Sequence, residues 1–142
     1  MSFLQGSRSP WVGRMLSLLR IVTAVCFMLH GTQKLFGWPP SEHPMQIQLM
    51  SQFGLAGILE TFGGLAILLG VFTRPVAFLL AGEMAVAYFQ VHFPNSIYPI
   101  KNGGESPVLF CFIFLYLCVA GAGTWSIDHM IASNRFDESQ SR

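Results

Sequence analysis

The chain has 142 residues and a formal net charge of +1; 52% of its residues are hydrophobic and only 11% are Asp, Glu, Lys or Arg. Soluble domains carry about 25% charged residues, so this composition favours a small integral membrane protein. The near-zero charge removes the electrostatic basis for binding nucleic acid, and three cysteines without a C-x-x-C pair exclude a disulfide scaffold and a Cys-type zinc site.

Four apolar stretches follow one another along the chain, and each has about the 17 to 25 residues that a helix needs to cross a bilayer. They cover residues 11–36, 53–72, 75–91 and 107–123. None alternates apolar and polar residues with the period of two that is typical of a strand. The predicted fold is therefore all-α: one bundle of four transmembrane helices within residues 1–130, and a polar tail over residues 131–142.

Local signals refine these boundaries. The first stretch resembles a signal peptide, but Arg20 adjoins its apolar part and no small-x-small cleavage site follows. Pro75 can open the third helix in its first turn, and Ser106 followed by Pro107 predicts the cap and first residue of the fourth. Residues 45–52 could form a short amphipathic helix on the outer surface.

The basic residues predict the orientation, because they concentrate on the cytoplasmic side of inner-membrane proteins. Those at one end of the predicted bundle are Arg8, Arg14, Arg74, Arg135 and Arg142, and those at the other end are Lys34 and Lys101. Both termini are therefore expected in the cytoplasm of a bacterium, with the loops at 37–52 and 92–106 facing outward across the inner membrane.

Ionisable side chains inside the predicted helices are the candidate functional residues, since such groups are costly in a bilayer and usually pair or carry function. Arg20 and Glu83 both lie about 12 Å from the inner edge at 1.5 Å per residue, which predicts an ion pair that could also simply fix helix register. Glu60 lies about 10 Å below the outer edge, with no basic residue obviously level with it. Glu60 is therefore the strongest functional candidate.

A polar pocket is predicted near the outer edge. Glu60, His30 and His92 are its candidate proton-transfer or ligand-binding residues, and Lys34 and Gln90 are expected beside them. The alternative for Lys34 is snorkelling towards headgroups, and the histidines could be interfacial hydrogen-bonding groups. No metal site is expected from these residues.

Several short segments, in this order, resemble one family. They are Arg20, HGTQKLFG at 30–37, ETFGG at 60–64, FTRP at 72–75, GEM at 82–84, HFP at 92–94, NGGE at 102–105 and GAGTWSID at 121–128. Together they resemble the DoxX family of small bacterial inner-membrane proteins, over residues 14–128. The resemblance implies a shared core, without assigning roles, that contains Arg20, Lys34, Glu60, Glu83, His92, and the turn from Asn102 to Glu105.

The resemblance also bears on function, because the family is similar to the membrane subunit of an archaeal thiosulfate:quinone oxidoreductase. Some members are associated with complexes that handle oxidative and thiol stress. No cofactor-binding motif is present in this chain. The leading hypothesis is a redox-associated membrane subunit that binds a quinone, with Glu60 relaying protons and a partner protein supplying electrons.

Two other hypotheses remain open. The chain could be a scaffold that docks a soluble enzyme on the aromatic segments at 38–40 and 97–100. It could also be a small-solute carrier with Arg20 and Glu83 in its path, which would require a homo-oligomer because four helices are few for a transporter.

Overall fold

The computed structural model describes residues 9–40 and 48–140, with side chains described as far as residue 135. This part of the chain contains six helices and no strand, which confirms the all-α prediction. The helices are α1 (Pro10–Phe36), α2 (Gln52–Leu69), α3 (Thr73–Ala87, continued by the π-helical turn Tyr88–His92), α4 (Pro99–Asn102), α5 (Glu105–Ala120) and α6 (Ile127–Gln140).

Helices α1 and α2 are long and apolar enough to cross a membrane, and α5 is a shorter apolar helix. α1 packs along α2, and α3 packs along α5. The two pairs meet in one core around Phe27, whose ring lies edge-on to Phe114 at 4.8 Å between centroids. Ile67 and Leu80 also belong to this core and are fully buried.

The outer surface of the bundle is apolar. Phe78, Phe112 and Val119 are 66%, 67% and 76% exposed, respectively, on helices whose other faces form the core. A soluble protein rarely exposes apolar side chains so extensively, because each costs free energy in contact with water. The surface is therefore suited to contact with lipid.

The connection between α2 and α3 lies earlier in the chain than the sequence indicated: it comprises residues 70–72 and not 73–74. α2 ends at Leu69 rather than at residue 72, because Gly70 adopts a left-handed conformation with φ of 68°. α3 starts at Thr73, two residues before Pro75. Proline is tolerated at the third position as well as at the first, since the N–H groups of the first turn have no helical partner.

A proline in the first turn also corrects the start of α5. The helix begins at Glu105 after Gly104 and has Pro107 as its third residue, so Ser106 is not its cap. Of the expected amphipathic segment, residues 45–47 lie outside the described residues, and residues 48–50 form a turn before α2. The segment expected as a polar tail is helical as far as Gln140, since helix α6 runs through residue 131.

Candidate functional site

Glu60 is paired with Lys34. The Lys34 Nζ lies 2.5 Å from Glu60 Oε1, and the Glu60 side chain is only 3% exposed. The expectation that Glu60 has no cation at its level was therefore wrong. Helical side chains tilt towards the helix N-terminus, so Lys34, near the end of α1, reaches back over the turn that faces Glu60.

A close approach of α1 and α2 places this ion pair. A Cβ added to Gly31 would lie 2.6 Å from the backbone nitrogen of Thr61, so only glycine fits at this contact. Glu60 belongs to a π-helical turn, Leu59–Gly63, inside α2. Single π turns within α-helices are frequent at functional sites, and this one turns Glu60 towards Lys34.

Glu83 lies on α3 beside this ion pair. Glu60 is nine residues before the end of α2 and Glu83 ten residues after the start of α3, so across the tight connection the two carboxyls are about level. Both oxygens of Glu83 and the Oε2 of Glu60 are buried without a hydrogen-bond partner among the described residues. Three buried carboxyl oxygens therefore have no hydrogen-bond partner in the described part of the chain.

Lys34, Glu60 and Glu83 line one groove of about 670 Å³ between α2 and α3. We call it the α2–α3 groove. Its other walls are almost entirely apolar and include Leu59, Phe78, Leu79, Val86 and Leu115. Phe78 and Leu79 are also exposed on the outer surface, so the groove opens sideways, where a bilayer would supply lipid.

Gly82 forms part of the wall of the α2–α3 groove. Apart from its chain neighbours and the backbone of its own helix, no heavy atom of the described residues lies within 4 Å of the position that its Cβ would occupy. A larger side chain at this position would therefore extend into the groove without displacing a neighbour. The volume and apolar lining are those of a small-molecule site with a few polar groups at its base.

Arg20 does not pair with Glu83, in contrast to the prediction. Its guanidinium donates to the carbonyls of Ala122 at 2.8 Å and of Leu68 and Trp125 at 2.5 Å each, and also to the carbonyl of Ile67. Helix α2 ends at this level, where its last carbonyls have no helical N–H partner. Five N–H donors make arginine well suited to such a cluster, so Arg20 joins α1, the end of α2 and the segment after α5.

The histidines lie apart from the α2–α3 groove. His30 is exposed, with its ring edge-on to Phe110 at 5.9 Å between centroids. His92 Nδ1 lies 2.9 Å from the carbonyl oxygen of Asn102, whose side chain also binds Ser96 and Gly104. His92 and Asn102 therefore order the loop between α3 and α5. Neither histidine is among the residues that line the groove.

The remaining candidates lie near the outer end. Gln90 accepts a hydrogen bond from Gln52, a residue of the groove wall, and Glu105 is an exposed first residue of α5. The three cysteines are free, and Cys111 lines the groove. Among the described residues, no three His, Cys, Asp or Glu side chains are grouped as metal ligands.

Asp128 is a structural residue that the sequence analysis missed. Its carboxylate accepts hydrogen bonds of 2.9 Å from the backbone nitrogens of Phe72 and Thr73, at the N-terminus of α3. A carboxylate at this position satisfies free N–H groups and complements the helix dipole. Asp128 lies more than 50 residues after Phe72 and Thr73, and no sequence pattern indicates that its carboxylate binds their backbone nitrogens.

Comparison with known proteins identifies the family. Residues 15–93 match the DoxX family model. The chain belongs to the DoxX family. An uncharacterized protein of Haemophilus influenzae is 40% identical to it over 125 residues, which cover 80% of this chain and 88% of that protein. The inner membrane protein YqjF of Escherichia coli is 32% identical over 123 residues, which cover 79% and 88%, respectively.

No solved structure gives a significant match to this chain. The family match confirms the resemblance seen in the sequence, and the chain is a DoxX-family membrane protein. The matched residues run from α1 to the end of α3 and thus include Lys34, Glu60 and Glu83.

Proposed function

We propose that this DoxX-family protein binds an isoprenoid quinone in the α2–α3 groove, as the membrane subunit of a redox system whose electrons come from a partner protein. The observation that carries the proposal is the combination of a lipid-facing apolar groove with a buried ion pair and a second carboxyl at its base. A quinone has the same two parts: an apolar tail and ring, and two oxygens that exchange protons when the ring is reduced.

The groove residues fit such a ligand. Leu79 and Val86 line the walls that would contact the tail, and Lys34 and Glu60 lie where the ring oxygens would need polar partners. Bound quinone would supply the electron-accepting chemistry. The chain itself would hold the ring, exclude water with its apolar walls, and hold protons at Glu60 and Glu83.

We also propose that α1, α2, α3 and α5 all cross the bacterial inner membrane, with both termini in the cytoplasm. α3 reaches about 30 Å when its π-helical turn is included, at 1.5 Å per residue, which matches the hydrocarbon thickness. Arg14, Arg74 and Arg135 would then be cytoplasmic and Lys101 external. In this orientation Glu60 and Glu83 lie near the middle of the membrane.

The test is to purify the protein in mild detergent, extract it with solvent and identify what it retains by mass spectrometry. We expect a quinone at close to one per chain, well above its share of the co-purified lipid. Glu60→Gln should reduce this amount severalfold, whereas Glu105→Gln, which removes an exposed carboxylate outside the groove, should not. Quinone present only in proportion to bulk lipid would contradict the proposal.

One observation favours a second function, a scaffold for a soluble enzyme. The loop ordered by His92 and Asn102 presents Ile97, Tyr98 and Ile100, each at least 60% exposed, at the end of the bundle. Capture of a partner that is lost in Tyr98→Ser and kept in Glu60→Gln would support this role. The reverse pattern would support the groove as the functional site.

A further inference from the structure

Three buried carboxyl oxygens of the α2–α3 groove lack a hydrogen-bond donor among the described residues. Its described ionisable groups are Lys34, Glu60, Glu83 and the Cys111 thiol. Lys34 binds Oε1 of Glu60, while Oε2 of Glu60 and both oxygens of Glu83 lack a partner among the described residues. The remaining N–H groups of Lys34 do not reach these three oxygens.

The walls beside Glu83 supply no hydrogen-bond donor either. On α3 they are formed by Leu79, Gly82, Met84, Ala85 and Val86, whose side chains carry no hydrogen-bond donor. Gln52 lies in the wall, but its amide donates to Gln90. A buried acceptor without a donor costs free energy in apolar surroundings, so an occupant of the groove that donates a hydrogen bond to Glu83 would be stabilised there.

The two oxidation states of a quinone differ in this respect. A quinone ring presents two carbonyl oxygens, which only accept hydrogen bonds, whereas the reduced ring presents two hydroxyl groups, which donate. Oε2 of Glu60 and both oxygens of Glu83 lack a hydrogen-bond donor among the described residues, and a carbonyl oxygen cannot supply one. A hydroxyl group is therefore the better match to this site.

We infer that the head of the α2–α3 groove binds an aromatic hydroxyl that donates a hydrogen bond to Glu83, so that the site prefers the reduced, dihydroxy form of its ligand. The inference rests on the proposed function and adds to it the form that is bound. A site of this kind would retain quinol after its formation with electrons from the partner.

The test compares two probes that differ by one hydrogen-bond donor: 4-heptylphenol and its methyl ether, 4-heptylanisole. Binding is measured to the full-length protein in lipid nanodiscs, with empty nanodiscs to subtract partitioning into lipid. We expect the phenol to bind at least about tenfold more tightly than the ether, because only the phenol can donate a hydrogen bond to the buried, unpartnered oxygens of Glu83.

Variants of Glu83 locate the effect. Glu83→Met keeps the length of the side chain and removes the acceptor, so the phenol-to-ether ratio should fall to about one; an apolar group here should not harm folding. Glu83→Gln keeps a carbonyl acceptor and should retain an intermediate ratio. Glu105→Gln should leave the ratio at its wild-type value.

Gly82→Leu separates the possible failures, because it fills the groove. Equal binding of phenol and ether that is abolished by Gly82→Leu would overturn the inference and leave the proposed function standing. Binding of both probes that Gly82→Leu does not change, or no binding beyond empty nanodiscs, would overturn both. A preference for the phenol that persists in Glu83→Met would also overturn the inference.

Discussion

Arg20 and Lys34, two basic residues of the same helix, have different partners because they lie at different levels of the bundle. Arg20 lies where α2 ends, and it satisfies carbonyls that the helix leaves free. Lys34 lies near the other end of α1 and meets a carboxylate in the middle of α2. Arg20 is therefore a structural residue, and Lys34 belongs to the candidate site.

The structural role of Arg20 predicts a large loss of stability in Arg20→Met. Four buried or partly buried carbonyls would lose a charged donor, which should cost about 3 kcal/mol. Thermal unfolding of the purified protein in detergent measures this loss. Arg14→Met, which removes an exposed arginine, should change the melting temperature little; equal effects of the two substitutions would contradict this account of Arg20.

At the scale of helices, the site depends on one contact and one cap. The contact of α1 with α2 at Gly31 sets the position of the π-helical turn that carries Glu60. The cap is Asp128, which binds the first N–H groups of α3. Together they fix α2 and α3 relative to α1, and so the level of Glu60 against Lys34 and Glu83.

Alanine substitutions of two glycines should have opposite effects. Gly31→Ala would force α1 and α2 apart and should cost about 1 to 3 kcal/mol, as overpacking usually does. Gly82→Ala meets open space and replaces a mid-helix glycine, so it should be neutral or slightly stabilising. Melting temperatures in detergent provide the comparison, and a harmless Gly31→Ala would show that the helices are not in close contact there.

The cap makes a separate prediction. Asp128→Ala removes a carboxylate from two backbone N–H groups and should cost about 1 kcal/mol. His129→Ala, which truncates an exposed neighbour in α6, is the control. If both substitutions lower the melting temperature equally, the loss reflects α6 in general and not the cap of α3.

At the scale of the whole molecule, the apolar outer surface suits the bundle to a bilayer, and the distribution of arginines predicts that both termini lie in the cytoplasm. Single cysteines introduced as Ile97→Cys and Arg135→Cys, in a chain whose native cysteines are replaced by serine, test this with a membrane-impermeant thiol reagent. Ile97→Cys should be labelled from the periplasmic side and Arg135→Cys only in inverted vesicles. Labelling of both positions from one side would contradict the arrangement.

Most of the architecture could be predicted from the sequence, because long apolar stretches and helix-breaking residues determine it. The starts and ends of α1, α2, α3 and α5 fall within about three residues of the predicted ones. The errors at the starts of α3 and α5 follow from prolines inside their first turns, and the early end of α2 follows from Gly70. The extent of α6 was missed because a polar segment without periodicity gives no helical signal.

The candidate site was predicted less well, since it depends on how the helices are staggered. The predicted pair of Arg20 and Glu83 assumes that α1 and α3 start at the same depth. In the structure Arg20, ten residues into α1, lies level with the end of α2 and hence with the start of α3, so Glu83 is about ten residues further along the bundle. Glu60 was correctly placed inside the bundle, where it is 3% exposed. Lys34 was expected beside Glu60 in the outer pocket, and the tilt of helical side chains towards the N-terminus accounts for their ion pair.

The central claim is that the α2–α3 groove holds a quinone, and Gly82→Leu tests it most directly. The wild type, Gly82→Ala and Gly82→Leu would be purified in parallel and their retained quinone quantified by mass spectrometry. Leucine should fill the groove and reduce quinone retention at least about tenfold. Gly82→Ala should retain as much quinone as the wild type, and Gly82→Leu should still fold. Full retention of quinone by a folded Gly82→Leu protein would contradict the claim and leave the outer loop as the functional surface.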